Sequence, residues 1–175
     1  MMNPKFIQDC DEYLNERTGC YEYRRERYFP TVQEMLRLGL SDTDTVYDIG
    51  AGMTEFDYCL RTEGNFKGRY IPIDGSIDGV YLQMWTPPRK AEYFVALELL
   101  EHLYQPSWLV YKMQEYCNKG IIISTPNPDT TDVLGMDRTH KTPIYYEMLE
   151  QWGFSWRTAS FYGKSADSLF GVWEA

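Results

Sequence analysis

Thr45-Val46-Tyr47-Asp48-Ile49-Gly50-Ala51-Gly52 is the stretch whose reading decides the fold. Its first five residues are β-branched, aromatic or apolar apart from one acid, which predicts a short strand. The two glycines that follow let the backbone turn sharply and approach a ligand closely. A polar-capped helix can begin at about Thr54. Strand, tight turn and helix in this order form the opening unit of a parallel sheet.

Three more runs have the same character. Arg69-Tyr70-Ile71-Pro72-Ile73 ends in Asp74-Gly75, Tyr93-Phe94-Val95-Ala96-Leu97 ends in Glu98, and Gly120-Ile121-Ile122-Ile123-Ser124 ends in Thr125-Pro126. Pro72 has no N–H to donate, which argues against a regular central strand there. Between the runs lie helical spacings. Val32, Met35 and Leu36 precede a stop at Gly39. Leu109, Met113, Tyr116 and Cys117 share one face. Tyr145, Met148, Leu149 and Trp152 share another, with Thr142 as N-cap, Pro143 in the first turn and Gly153 after the end. The aromatic, partly alternating tail from Phe154 predicts a closing antiparallel hairpin. The expected fold class is α/β: a Rossmann-like, mostly parallel sheet with helices on both faces. One domain spans 1–175, with a helical N-terminal lid over 1–40 and an α/β core over 45–175.

The composition agrees. The chain has 175 residues, 43% hydrophobic and 25% charged, which suits one globular domain and excludes a fibrous or disordered one. No apolar run reaches the ~20 residues needed to span a bilayer. The start lacks the apolar core of a signal peptide, so a cytoplasmic protein without a membrane partner is expected. With 17 basic and 26 acidic residues the net charge is −9, which argues against duplex DNA as a partner. Arg24-Arg25-Glu26-Arg27, flanked by Tyr21, Tyr23, Tyr28 and Phe29, reads either as a solvated helix face or as a small cationic, aromatic lid. The four cysteines, Cys10, Cys20, Cys59 and Cys117, have no C-x-x-C spacing, so free and mostly buried thiols are expected.

In an open parallel sheet, ligands bind outside the carboxyl ends of the strands. Every polar feature of the four runs lies at such an end. Gly50-Ala51-Gly52 suits a nucleoside ligand, and Asp74 at the next strand end suits the two hydroxyls of its ribose. Glu55 stands where a dinucleotide fingerprint has its third glycine, so that motif is incomplete. The turn and the acid together do not separate a nicotinamide enzyme from one using S-adenosylmethionine. Glu98, Glu101 and His102 are spaced i, i+3 and i+4, which places them on one face if a helix begins there. Two carboxylates and an imidazole are ligand types for a divalent metal, and His140 can reach the same rim. They are equally the acids expected at a helix N-terminus. Ser124-Thr125-Pro126-Asn127-Pro128-Asp129 is a strand exit with turn chemistry.

Together these residues resemble the class I S-adenosylmethionine-dependent methyltransferases. Asp48-Ile49-Gly50-Ala51-Gly52 resembles that family's first motif and Asp74 its ribose-binding acid. Ala96 to Leu103, Ile122 to Asn127 and Glu150 to Phe154 resemble later strands and the end of the late helix. The resemblance implies a donor site of Asp48, Gly50, Ala51, Gly52, Asp74, Gly75 and Glu98. E-x-x-E-H with a later histidine is similar to two metal-using branches, one acting on the 3′ ends of small RNAs and one on phenolic hydroxyls. Those branches imply a magnesium or manganese ion held by Glu98, Glu101, His102 and His140. Without metal, His102 or His140 would serve as general base. The expected function is methyl transfer from S-adenosylmethionine to an oxygen of a small molecule. The alternatives are an RNA 3′-end 2′-O-methyltransferase, with Arg24, Arg25 and Arg27 on terminal phosphates, and an inactive nucleoside-binding module. Two departures stand out. Thr54 occupies a position where the family often has glycine. Only 23 residues separate Asp74 from Glu98, too few for a helix plus a third strand. The adenine pocket would then be built from Asp78 to Trp85.

Overall fold

The computed structural model describes residues 21–175, with side chains from Arg24 onward. Residues 1–20 of the expected lid, Cys10 and Cys20 among them, and the side chains of Tyr21 and Tyr23 lie outside that range. Helix α1 (Tyr21–Arg37) leads into strand β1 (Thr45–Ile49), helix α2 (Glu55–Thr62) and strand β2 (Arg69–Ile73). Strand β3 (Ala91–Leu97), helix α3 (Pro106–Tyr116) and strand β4 (Cys117–Pro126) follow. Short helices α4 (Val133–Met136) and α5 (Tyr146–Gln151) precede the hairpin of β5 (Ser155–Ala159) and β6 (Ser168–Glu174). The six strands form one sheet in the order β2-β1-β3-β4-β6-β5. The first four are mutually parallel, and β6 runs antiparallel to both β4 and β5. This is the expected architecture, hairpin included.

Alternation along each strand divides the core into two layers. Tyr47, Ile49, Phe94, Ala96, Ile121 and Ile123 pack against Leu109, Val110 and Met113 of α3 and Leu149 of α5. Val46, Tyr93, Val95, Leu97 and Ile122 pack against Val32 and Met35 of α1 and Phe56 and Leu60 of α2. The period of two puts Asp48 on the face covered by α1 and α2, under their apolar side chains. That placement sets the chemistry described below.

Between β2 and β3 the only helical element is a 3-10 turn at Leu82–Met84, so the expected truncation is present. It makes β2 an edge strand. Arg69 N donates to Asp44 O, and Ile73 O accepts from Gly50 N, so odd positions of β2 point their backbone groups toward β1. Pro72 therefore faces the open edge, where its missing N–H breaks no ladder and blunts strand addition by another chain. The physical objection to Pro72 in a strand holds for a central strand and disappears at an edge.

Three local expectations are corrected. Cys117 begins β4 instead of ending α3. The late helix starts at Tyr146, because the Thr142 hydroxyl donates to Leu103 O instead of capping the helix. No α-helix starts at Glu98: residues Leu100–His102 form one 3-10 turn and α3 begins at Pro106. Among the described residues no helix is long and apolar enough to cross a membrane.

Candidate functional site

The chain goes from β1 out to β2 on one side and returns to β3 on the other. The switch point, and with it the ligand crevice, lies at the carboxyl ends of β1 and β3. Gly50 and Gly52 turn there with φ of 76° and 50°, in the region that favours glycine. A side chain on Gly50 would also meet Leu99 Cδ1 at 2.9 Å, so the turn lies against the loop after β3. At Gly52 nothing lies within 4 Å of an added Cβ, which leaves that amide face open. The Gly52 N–H donates to Asp74 Oδ2 at 2.8 Å, and Ser76 N and Ile77 N donate to Asp74 Oδ1. An ionised carboxylate offers about four acceptor positions. Asp74 thus braces the turn and retains capacity for a ligand hydroxyl. Gly75 continues into the bend, where Asp78 Oδ2 accepts from Asp74 N.

Thr54 holds φ 59°, a left-handed conformation that is unusual for a β-branched residue. The strain of about 1–2 kcal/mol outweighs the extra chain freedom of glycine. Thr54→Gly is expected to raise stability by about 0.5–1 kcal/mol, read as a higher thermal midpoint; an unchanged or lower midpoint would show that the Thr54 side chain contributes packing.

Asp48 is buried and accepts a short hydrogen bond from the Tyr70 hydroxyl. Burial pushes its carboxyl up to about 7, the Asp74 charge adds to this, and Tyr70 and Arg27 oppose it.

Glu98 ends β3 in a second strained position, φ 55°. Its Oε1 accepts from Ser124 Oγ at 2.6 Å and its Oε2 from the Tyr162 hydroxyl. Tyr162 comes from the β5–β6 loop, and Asp167 shapes that loop. Buried Asp167 accepts from Phe161 N, Tyr162 N, Lys164 N and Ser168 Oγ. Asn127 fastens the β4 exit to the same loop through Ala166 O and Asp167 O. Sequence reasoning missed Tyr162 and Asp167. The one available signal was an acid opening an apolar strand, which must find donors when buried.

Glu101, His102 and His140 converge: each offers a ligand atom within 4.8 Å of the others'. The segment carrying His140 is pinned by Lys141 N and Thr142 N, which both donate to Glu101 O. His140 Nδ1 lies 2.6 Å from Val133 O. A carbonyl only accepts, so His140 Nδ1 is the donor. Thr139 Oγ1 donates to Asp137 Oδ1 at 2.6 Å, so it accepts from His102 Nδ1 at 2.9 Å. The two rings stand 4.6 Å apart, edge to face. Glu101 is 1% exposed, and burial and the neighbouring Glu98 raise its pKa well above the usual carboxylate range. Glu98 itself stands outside this trio.

The arginines of the cluster have acidic or aromatic partners within the chain. Arg24 pairs with Glu55 at the start of α2, and Arg25 pairs with Glu63 at its end. Arg27 turns inward and is 9% exposed. Burial works against its charge, but Glu98 and Tyr162 more than offset that and raise its pKa. Arg27, Glu101 and Thr125 are buried together at this rim, with the Thr125 hydroxyl against Glu101 and Tyr28 against Arg27. Arg27, Asp48, Glu98 and Glu101 influence one another electrostatically at this rim.

No protein-family model and no curated protein sequence matches the chain. Solved structures do match. One is a chain in the complex of the Haloferax volcanii Trm112 methyltransferase activator with a methyltransferase, at TM-score 0.71 and 11% identity over 95% of this chain and 96% of that one. The N-methyltransferase NodS from Bradyrhizobium japonicum, with S-adenosyl-L-homocysteine, gives 0.62 at 14% identity over 97% of each chain. Magnesium protoporphyrin IX methyltransferase from Synechocystis, with the same ligand, gives 0.55 at 12% over 99% and 88%. The fold is that of the S-adenosylmethionine-dependent methyltransferases.

Proposed function

We propose that this chain is an S-adenosylmethionine-dependent methyltransferase acting on an oxygen of a small molecule. The observation that carries the acceptor chemistry is the convergence of the chain's two histidines with buried Glu101 beside the donor rim. Asp74 holds the ribose, and the Gly50–Gly52 turn admits the donor. Ile77 and Tyr81, exposed in the stretch that replaces a third strand, give apolar surface for the purine.

A sulfonium is already reactive, so the protein's part is to align donor and acceptor and to handle one proton. With Nδ1 of both histidines committed to backbone and threonine partners, Nε2 of His102 or His140 receives the acceptor's proton. The trio also fits a divalent ion: two imidazole rings fixed by outer hydrogen bonds, with a buried carboxylate beside them. Glu101, His102 and His140 would hold magnesium or manganese, with Glu98 behind them, and such an ion would lower the pKa of the acceptor hydroxyl. The RNA-end reading loses support, because Arg24 and Arg25 are engaged by Glu55 and Glu63.

The test is calorimetric titration of S-adenosylmethionine and S-adenosyl-L-homocysteine, with manganese or with EDTA. Micromolar binding is expected, weakened at least about tenfold in Asp74→Ala by loss of a charge-assisted hydrogen bond. No binding to the unaltered protein would replace this reading with an inactive module. His140→Ala is expected to slow methylation of a phenolic acceptor about 100-fold while homocysteine-ligand affinity holds. Unchanged turnover would remove the histidines from the mechanism. Manganese binding, followed by its paramagnetic resonance, is expected to fail in the same variant if the ion is part of the site.

A further inference from the structure

The two histidines are held at Nδ1 by partners of different kinds. His140 donates to the backbone carbonyl of Val133, which any sequence supplies. His102 meets a side chain, the Thr139 hydroxyl. The segment Asp137-Arg138-Thr139-His140 arranges this contact. Asp137 Oδ1 accepts from Thr139 N at 2.8 Å and from Thr139 Oγ1 at 2.6 Å, and Asp137 O accepts from His140 N at 3.1 Å. One acid thus closes the turn that delivers His140 and fixes the hydroxyl that faces His102. A threonine hydroxyl has a single proton to donate. With that proton on Asp137, Thr139 Oγ1 acts only as an acceptor in its 2.9 Å contact with His102 Nδ1.

We propose that Asp137 and Thr139 are positioning residues that keep the proton of His102 on Nδ1 and its electron pair on Nε2, an inference that rests on the acceptor chemistry proposed above. In a neutral imidazole one nitrogen donates and the other accepts, and the partner of one nitrogen decides which. Both uses proposed for the trio, proton acceptance and metal ligation, need an electron pair on the ring, and Thr139 occupies Nδ1. The hydroxyl alone does not set the sense of its bond to His102, because a hydroxyl donates as readily as it accepts. Asp137 sets it: an ionised carboxylate only accepts, so it takes the hydroxyl proton and turns the oxygen toward the ring. Without this acid the same hydroxyl would turn its proton to Nδ1 and move the ring proton to Nε2.

The chain has two histidines, so its imidazole nitrogen resonances are few, and His140→Ala assigns them. Nitrogen-15 magnetic resonance at about pH 8.5 with EDTA, where an ordinary imidazole is neutral, reads which nitrogen of His102 carries the proton. One net hydrogen bond corresponds to a population ratio of about tenfold. The unaltered protein and Thr139→Ser are expected to show the Nδ1–H form about tenfold in excess. Thr139→Val should lose that excess, and Asp137→Ala should invert it to mostly Nε2–H. A role limited to closing the turn would not invert the tautomer. Thr139 is exposed and valine matches its shape, so the valine variant carries the comparison if Asp137→Ala does not fold. An Nε2–H ring in the unaltered protein, or an Nδ1–H excess that survives in Thr139→Val or Asp137→Ala, overturns the assignment. S-adenosyl-L-homocysteine is titrated in parallel and is expected to bind the unaltered protein and Thr139→Val within about twofold of each other. A tenfold loss in Thr139→Val would mean that the substitution disturbs the donor rim, and would overturn a role confined to the acceptor side. No binding to the unaltered protein sinks the methyl-transfer reading itself, an outcome read separately from the tautomers.

Discussion

Asp167→Ala is expected to lower the free energy of unfolding by about 3 kcal/mol, the penalty for leaving several buried donors without an acceptor. The carboxylate is 2% exposed and accepts from Phe161 N at 2.7 Å, Tyr162 N and Lys164 N at 2.9 Å and Ser168 Oγ at 2.8 Å. Alanine removes all four acceptor contacts and offers nothing in return. Asparagine keeps one oxygen, so Asp167→Asn should lose roughly half as much. Urea unfolding of the three proteins measures this ordering. The substitution also reaches the site, since the loop that Asp167 shapes presents Tyr162 to Glu98. Equal stability of Asp167→Ala and the unaltered protein would mean that water enters the loop and replaces the carboxylate.

Asp48 is expected to make stability fall with rising pH between pH 4 and pH 7. In the unfolded chain its carboxyl ionises near 3.8; in the folded protein, burial moves this to about 7. Between these values the folded protein keeps a proton that the unfolded chain has lost. Stability is therefore greatest below pH 4, falls as pH rises toward 7, and levels above it. Each unit of separation corresponds to about 1.4 kcal/mol, so the full fall attributable to Asp48 is on the order of 4 kcal/mol. Buried Glu101 contributes a fall of the same sign. Asp48→Asn retains an acceptor for the Tyr70 hydroxyl and cannot ionise. It should flatten part of the slope and leave the variant more stable than the unaltered protein at pH 8. Denaturant unfolding at several pH values decides this; parallel slopes for the two proteins would show that Asp48 stays ionised in the fold.

The elements that sequence reading located were those whose side chains repeat with a strong period. β1, β2, β3 and β4 each carry an apolar run ended by glycine, acid or proline, and such a run has few alternatives to a buried strand. The lack of a further helix and strand between β2 and β3 was legible too, because the 23 residues between Asp74 and Glu98 already have to hold β3 itself. The gathering of polar residues at one rim was legible because parallel strands place all their carboxyl ends on one edge. The E-x-x-E-H segment was harder. Its spacing suggested one helix face, but Glu98 takes a left-handed conformation and only a 3-10 turn follows. Glu98 turns away to Ser124 and Tyr162, while Glu101 and His102 turn toward His140.

Local periodicity and turn chemistry thus determined the α/β architecture, the strand ends and the residue types gathered there. Tertiary structure decided which of those residues meet. Tyr162 reaches Glu98 across 64 positions and Arg27 approaches Tyr162 across 135, separations over which no local pattern carries information. It also decided the fate of charge. Arg24, Arg25 and Arg27 look alike in sequence, but helix α1 turns two of them toward acids on α2 and one into the rim. Burial then made Asp48 and Glu101 hard to ionise, because removing water from a carboxylate is a property of the packed surroundings and not of the residue.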